Sequence, residues 1–215
     1  MKSLTFIRHA ESMANAGGVT MPNALIPLSP AGRQHARQLA DALEITPTGI
    51  LTSAFLRTRE TSEPFCQRWS MRPGVHGLLH EFSILDPVLI EGMDLAARRP
   101  LTQAYWDEAD PDKRMGENAE TFREFADRVM RFQGEMDALP DGTLLFTHGM
   151  WLAFLVWRLQ GADARIDRAG MRAFRRFQLA LPMPNCAVYV VEQPPGGAWA
   201  ARATAFPQAP EERAG

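Results

Sequence analysis

The chain contains few cysteines and no long apolar run. Its two cysteines among 215 residues, Cys66 and Cys186, have no CxxC or Cys/His ligand spacing, so we expect neither a disulfide framework nor a zinc site. His76 and His80 bracket a predicted strand, where we favour surface positions over metal binding. The longest apolar run, residues 150–157, is shorter than the roughly 18–20 residues that span a bilayer.

The charge and the first residues argue against two further classes of protein. The formal net charge is −2, and we expect no nucleic-acid partner because such binding needs a basic surface. The first residues contain no apolar signal region, so we expect a cytoplasmic protein without membrane attachment. Nothing in the sequence favours a particular oligomeric state.

What remains is the composition of a globular protein, with 46% hydrophobic and 22% charged residues. We predict a single domain over residues 1–204. Residues 82–118 contain proline, are rich in charge and show little periodicity, so we interpret them as an inserted or capping segment. Residues 205–215 have little apolar content, and we expect them to form a flexible tail.

Short β-prone runs alternate with helical patterns along most of the chain. The predicted strands are 4–7, 50–52, 75–79, 143–147, 186–191 and 199–203. The predicted helices are 30–43, 54–68, 95–106, one that begins at Thr121, and 150–159. Such alternation favours an α/β fold, a three-layer sandwich with a mainly parallel central sheet and helices on both faces.

Charged residues follow three of the predicted strands. Arg8 and His9 come directly after the first strand, and His148 and Gly149 come after the fourth. Arg57 lies in the first turn of the helix that follows the second strand. The carboxyl ends of parallel strands meet at one edge of a sheet, so we expect these two arginines and two histidines to converge. Such a cluster predicts an anion site, most naturally for phosphate.

On these residues the chain resembles the histidine phosphatase superfamily, also called the phosphoglycerate mutase-like family. The resemblance extends from residue 4 to about residue 191, and its motifs follow the family's order. The matching residues are Arg8-His9-Ala10-Glu11-Ser12 with Asn15, Leu28-Ser29-Pro30-Ala31-Gly32, Ser53 to Arg57 with Thr61, Glu81, Thr147-His148-Gly149 and Pro184-Asn185-Cys186. Each motif alone is a weak signal, whereas the ordered set is specific.

The resemblance implies a phosphomonoester hydrolase that works through a phosphohistidine intermediate. His9 would attack phosphorus and Glu81 would protonate the leaving group, with Glu91 as an alternative proton donor. The residues implied to bind the phosphoryl group and its transition state are Arg8, Asn15, Arg57, His148 and Gly149. Asn15 is equally consistent with a residue that only closes the turn after the first strand. With four cationic donors at the phosphoryl group, we expect neither a metal nor a cofactor.

Two departures from the mutase branch of the family favour hydrolysis. Glu81 leads into residues 82–87, which lack the glycine of that branch, and the long mutase insertion is absent. A cofactor-dependent mutase and a non-catalytic phosphate-dependent binding protein remain the alternatives. We expect a small phosphorylated substrate: a sugar phosphate, a nucleotide or a phosphoprotein. Arg98 and Arg99 either bind a carboxylate or a second phosphate of that substrate, or form a solvated helix end.

Overall fold

The computed structural model describes residues 1–17, 22–161 and 165–204, and the predicted tail, 205–215, lies outside them. The strands in this part of the chain are β1 (Lys2–Arg8), β2 (Gly49–Thr52), β3 (Gly74–Val75), β4 (Thr143–Thr147), β5 (Val188–Gln193) and β6 (Ala200–Thr204). They form one sheet in the spatial order β3-β2-β4-β1-β5-β6.

The sheet is mainly parallel, which confirms the prediction. β1 runs parallel to β4, β4 to β2, and β2 to β3, whereas β5 and β6 add an antiparallel hairpin at one side. Arg8 lies opposite Thr147, and Thr52 lies opposite Phe146. The three central strands therefore end at nearly the same level, and the residues that follow them lie side by side.

Six helices accompany the sheet in the described part of the chain. They are α1 (Pro30–Ala42), α2 (Leu56–Trp69), α3 (Leu95–Glu108), α4 (Phe122–Glu135), α5 (Gly149–Leu159) and α6 (Arg168–Ala180). The two helix starts that the sequence marks most clearly have side-chain caps. Ser29 accepts the N–H of Gly32 ahead of α1, and Thr121 forms a capping box with Glu124 at the start of α4.

Helices cover both faces of the sheet, as predicted. Side chains alternate along β1, so Leu4 and Phe6 face α4, α5 and α6, whereas Ile7 faces α1 and α2. All three side chains are fully buried. Burial of each such side chain stabilises the fold by about 1.5–3 kcal/mol, so the two apolar layers hold the strands in place from both sides.

The predicted strand 75–79 is wrong beyond its first residue. The strand is confined to Gly74–Val75, and Gly77–Leu79 forms a turn of 3-10 helix. Side-chain hydrogen bonds favour this turn, because His76 Nδ1 accepts the N–H of Leu78 at 3.3 Å and His80 Nδ1 donates to Gly77 O at 2.7 Å. His76 and His80 therefore do not share one strand face.

Two other predictions need correction near the C-terminus. Pairing of the predicted strand 186–191 begins only at Val188, because Cys186 has a left-handed backbone with φ of 61°. Helix α6 was not predicted at all. Its apolar signal is short, with Met171 and Phe174 buried three residues apart among several arginines.

The predicted capping segment, 82–118, packs against the same core as α4 and α6. The ring of Phe82 stacks on that of Phe125 with centroids 4.5 Å apart, and Trp106 contacts Phe174. Buried Asp86 fastens the two ends of the segment, since its carboxylate accepts the backbone N–H of Asn118 at 2.8 Å. The limits of the domain and of this segment stay predictions. Among the described residues, no helix has the length and apolarity to cross a bilayer.

Candidate active site

The carboxyl ends of the central strands bring the two predicted histidines together. His9 follows β1, and its N–H donates to Thr147 O at the end of β4 at 2.9 Å. His148 follows β4, and its ring centroid lies 5.2 Å from that of His9. Ser53, directly after β2, donates its backbone N–H to Phe146 O. Buried strands thus fix all three positions.

The His9 ring is held in one tautomer. Its Nδ1 lies 2.7 Å from Ala10 O, a carbonyl that can only accept, so the proton is on Nδ1. Its Nε2 accepts the Nε–H of Arg57 at 3.2 Å. Burial lowers the pKa of His9 well below its usual 6.5, and the charges of Arg57 and Arg8 lower it further. His9 is therefore neutral, with the lone pair of Nε2 facing a cationic group.

Arg57 is held from three sides. Its Nη1 donates to both oxygens of Asn23, to the backbone carbonyl at 2.7 Å and to the side chain at 3.1 Å. Its guanidinium carbon lies 4.8 Å from the centroid of the Phe55 ring. Burial lowers the pKa of Arg57 to about 10, although the nearby Glu81 carboxylate opposes this change. The group remains protonated near neutral pH.

Arg8 supplies the second guanidinium of the site. Its Nη1 donates to Met183 O, whereas its buried Nε has no hydrogen-bond partner among the described residues. Burial lowers the pKa of Arg8, and the charge of Glu81 acts in the opposite direction. Gly149 makes room for this side chain, since a Cβ at residue 149 would lie only 3.1 Å from Arg8 Nε.

His148 is completely buried close to Arg57. Its Nε2 lies 2.8 Å from Ser53 Oγ, and its Nδ1 has no hydrogen-bond partner within the described chain. Burial lowers the pKa of His148 well below 6.5, and the charge of Arg57 lowers it further. The expected set of four cationic donors is therefore wrong. Both imidazoles are neutral, and the two guanidinium groups carry the positive charge.

The Glu81 carboxylate lies at the start of α5. Its negative charge is close enough to Arg8 and Arg57 to oppose the lowering of their pKa values by burial. Its carboxylate accepts three backbone N–H groups, from Phe82 at 2.9 Å and from Met150 and Trp151 at 3.1 Å each. These bonds fix the carboxylate beside the arginines.

The alternative proton donor, Glu91, is exposed, and it takes part in none of the hydrogen bonds that form this site. The structure therefore brings Glu81 rather than Glu91 to the cluster. The sequence order alone did not separate these two carboxylates.

Asn15 is an exposed residue at the rim of the cluster. Its Oδ1 accepts the backbone N–H of Ser12 at 3.2 Å and the Nδ2–H of Asn185 at 3.3 Å. Asn185 Nδ2 is also 3.1 Å from His9 O. The side-chain carbonyl of Asn15 thus closes the turn after β1, as one of its two interpretations predicted. Its role as a phosphate ligand stays a prediction.

Sequence reasoning missed several residues that hold the site together. Asn23 clasps Arg57, Phe55 lies against both Arg57 and His148, and Asn185 fastens the loop of His9. Asn185 belongs to a motif that we matched without assigning it a role. Asn23 lies in a stretch of sequence with no periodic pattern, so no local signal marked it.

Taken together, the cluster presents one neutral imidazole nitrogen, two guanidinium groups and a fixed carboxylate close to one another. A neutral imidazole can form a bond to phosphorus, and guanidinium groups match the oxygens of a phosphoryl group. Within residues 1–17, 22–161 and 165–204, no group of three or more His, Cys, Asp or Glu residues is placed to hold a metal ion. The arrangement therefore suits phosphoryl transfer to a histidine.

Comparisons with known proteins agree with this geometry. Residues 4–205 match the family model of the histidine phosphatase superfamily (branch 1). An adenosylcobalamin/alpha-ribazole phosphatase of Salmonella typhi is 27% identical over 164 residues, which cover 75% of this chain and 81% of that protein. A probable phosphoglycerate mutase, GpmB, of Escherichia coli O1:K1 / APEC is 29% identical over 176 residues, covering 78% of this chain and 79% of that protein.

Solved structures share the fold. The alpha-ribazole phosphatase of Shigella flexneri superimposes with a TM-score of 0.73 at 20% identity, covering 94% of this chain and 95% of that one. A mycobacterial glucosyl-3-phosphoglycerate phosphatase superimposes with a TM-score of 0.69 at 19% identity, covering 95% and 98%. The fold is thus phosphoglycerate mutase-like. With its motifs in order and its two histidines and two arginines in one cluster, the chain belongs to the histidine phosphatase superfamily, whose general feature is a phosphohistidine mechanism.

Proposed function

We propose that this protein is a metal-independent phosphomonoester hydrolase in which His9 Nε2 is the nucleophile. The observation that carries the proposal is the state of His9. Its Nδ1–H is committed to Ala10 O, so the lone pair of Nε2 is available, and burial beside Arg57 keeps the ring neutral. A neutral, oriented imidazole is the form that attacks phosphorus.

The donors of the site fit a phosphoryl group. Arg57 Nε–H, which points at His9 Nε2, would turn to a phosphate oxygen as the nitrogen approaches phosphorus. Arg8 Nε is buried without a partner and would bind a second oxygen. His148 would donate from Nδ1, which requires Ser53 Oγ to donate to its Nε2. Such preorganised donors stabilise charge that develops in the transition state.

The bond changes then follow in two steps. The His9 Nε2–phosphorus bond forms as the ester P–O bond breaks, and Glu81 gives a proton to the leaving oxygen. Water next attacks the phosphohistidine, and the Glu81 carboxylate takes its proton as the P–N bond breaks. Inorganic phosphate leaves, and neutral His9 is restored. The three backbone N–H groups on Glu81 hold its carboxyl group in place for both proton transfers.

The substrates named for the relatives are small phosphorylated molecules, and we propose the same class here. We also propose a cytoplasmic location, because both cysteines are free thiols. The mutase alternative would return the phosphoryl group to a sugar acid instead of water. GpmB, one of the relatives, is named a probable phosphoglycerate mutase. A binding protein would form no phosphohistidine.

The test is hydrolysis of para-nitrophenyl phosphate in the presence of EDTA by the wild type, His9→Ala and, as a matched control, His35→Ala on α1. We expect EDTA-resistant turnover that only His9→Ala abolishes. Quenching in alkali, where the P–N bond is stable, should trap labelled phosphohistidine in the wild type and the control. Wild-type rates in His9→Ala contradict the proposal. Labelling without phosphate release favours the mutase, and no labelling favours the binding protein.

A further inference from the structure

A cavity of about 290 Å³ lies beside the cluster, next to Glu81. Phe82 and Ser83, which directly follow Glu81 in the chain, line it. Asn23 lines it as well, and this residue accepts the Nη1–H of Arg57. The cavity therefore begins one residue from the proposed proton donor and one hydrogen bond from a proposed phosphate ligand.

The direction of attack places the leaving group in this cavity. In-line displacement puts the leaving oxygen on the side of phosphorus opposite His9. Glu81 is the group that would give that oxygen its proton, and the donor must lie within hydrogen-bond reach of it. A leaving group bound to Glu81 therefore continues past Phe82 and Ser83. This step rests on the proposed function.

The body of the cavity is apolar. Its apolar lining consists of Ile26, Phe82, Ile84, Leu85, Pro87 and Ile90. Except for Leu85 and Pro87, these side chains are buried, so the wall is a packed surface rather than a mobile fringe. The volume is near the lower end for small-molecule sites, roughly 300 Å³, which suits a group about the size of one ring.

Two arginines without ion-pair partners among the described residues line the cavity on α3. Arg98 and Arg99, both on α3, line the cavity, and neither forms an ion pair with any residue that the structure describes. Arg98 Nε donates to the backbone oxygen of Asp94 at 3.2 Å, so its Nη groups are left for another acceptor. Elsewhere, by contrast, Arg114 pairs with Glu124 and Arg123 with Asp112. Guanidinium groups beside an apolar surface bind anionic oxygens more strongly than in open water.

We propose that the substrate is a phosphate monoester whose leaving group joins a compact apolar body to an anionic end, which Arg98 and Arg99 bind. The shared chemistry is an anionic oxygen group, a carboxylate or a second phosphate. The apolar wall selects the body and the arginines select the end. A plain phenyl ester satisfies only the wall, and a phosphorylated sugar acid satisfies only the arginines.

The experiment compares matched aryl phosphates, the phosphate ester of para-hydroxyphenylpropanoate and that of its methyl ester, which differ only in the terminal charge. An ester with a terminal phosphonate in place of the carboxylate separates the two anionic ends. The variants are Arg98→Gln/Arg99→Gln and, as a control, Arg37→Gln, an exposed arginine on α1 outside the cavity lining. Circular dichroism confirms that each variant is folded. We expect kcat/KM to favour the charged ester by roughly tenfold, the effect of about one charge-assisted hydrogen bond.

This preference should vanish in Arg98→Gln/Arg99→Gln, with the methyl ester unaffected, and persist in Arg37→Gln. The proposal is overturned by equal kcat/KM for the two esters in the wild type, or by a preference that survives the double substitution. Calorimetry on His9→Ala gives the same comparison without turnover. Its ligands are analogues of the two esters in which a methylene group replaces the bridging ester oxygen, so that they cannot be hydrolysed. If no ester is hydrolysed but the analogue with the free carboxylate still binds more tightly than the methyl ester analogue, the proposed function fails and the anion-binding role of the arginines stands.

Discussion

Two groups of arginines in this molecule are held in opposite ways. Arg57 is only 5% exposed and is fixed by Asn23, Phe55 and His9. Arg99 on α3 is exposed, and only a backbone carbonyl holds the guanidinium of its neighbour Arg98. We refer to Arg8, His9, Arg57 and His148, which we propose to contact the phosphoryl group, as the phosphate-binding residues. Residues 82–102 are the pocket segment.

The difference indicates which part of the molecule is generic and which is specific. Buried strand ends and the first turn of α2 hold the phosphate-binding residues, so they are preorganised for a group that every substrate shares. The pocket segment is irregular, and its arginines keep their freedom to meet a particular leaving group. A change in the first group should therefore affect all substrates equally, whereas a change in the second should affect them selectively.

The largest effect is expected from Arg57→Ala. Removing this donor should lower kcat by about 100- to 1000-fold, as the loss of one preorganised donor at a transition-state oxygen does. The loss should be equal for para-nitrophenyl phosphate and for the charged aryl ester. Steady-state kinetics with both substrates measure it, and Arg59→Ala, an exposed arginine on the same helix, is the control. A loss confined to one substrate would show that Arg57 recognises a particular leaving group, as proposed for Arg98 and Arg99.

Glu81→Gln should have an effect that depends on the leaving group. Hydrolysis of an alkyl phosphate needs a proton donor and should fall by about 100-fold or more, whereas nitrophenolate leaves without one and should be much less affected. The slope of log kcat against leaving-group pKa measures this difference. Glu91→Gln, which removes the alternative proton donor, should leave that slope unchanged. Equal losses for both esters would remove Glu81 from the donor role.

The same division explains how much could be predicted from the sequence. The sheet, the helices on both faces and the meeting of His9 with His148 follow from buried strands with clear patterns, and each was predicted. The register of Arg8 with Thr147 then brings Arg8, His9 and His148 together without further information.

The remainder depends on contacts between distant residues. The hydrogen bond of Arg57 to Asn23 joins a helix to a loop without periodicity, and no local pattern marks it. The neutral state of His148 depends on complete burial, which a sequence motif does not convey. Likewise, the 3-10 turn at Gly77–Leu79 arises from side chains bonded to the backbone, and these outweighed the strand pattern.

The last and smallest expected effect concerns pH and stability. Burial lowers the pKa of His9 and of His148 well below 6.5, so the folded protein keeps both rings neutral where the unfolded chain binds a proton at each. Below about pH 6.5 the unfolded state therefore holds more protons, and the free energy of unfolding falls with pH by up to about 1.4 kcal/mol per unit for each histidine. The contribution is fully present above pH 6.5 and is lost as the pH decreases.

Urea unfolding at several values from about pH 7.5 to pH 5 measures this dependence in the range where histidine titrates. His148→Asn should flatten the slope by the share of one histidine, whereas Arg98→Gln/Arg99→Gln in the pocket segment should leave it unchanged. An unaltered slope in His148→Asn would show that the buried ring is not what makes the fold sensitive to acid. The expected outcome instead ties a large share of the acid sensitivity to His9 and His148, two buried imidazoles close to Arg57. His80, whose pKa burial also lowers, should supply the share that remains when His148 is replaced.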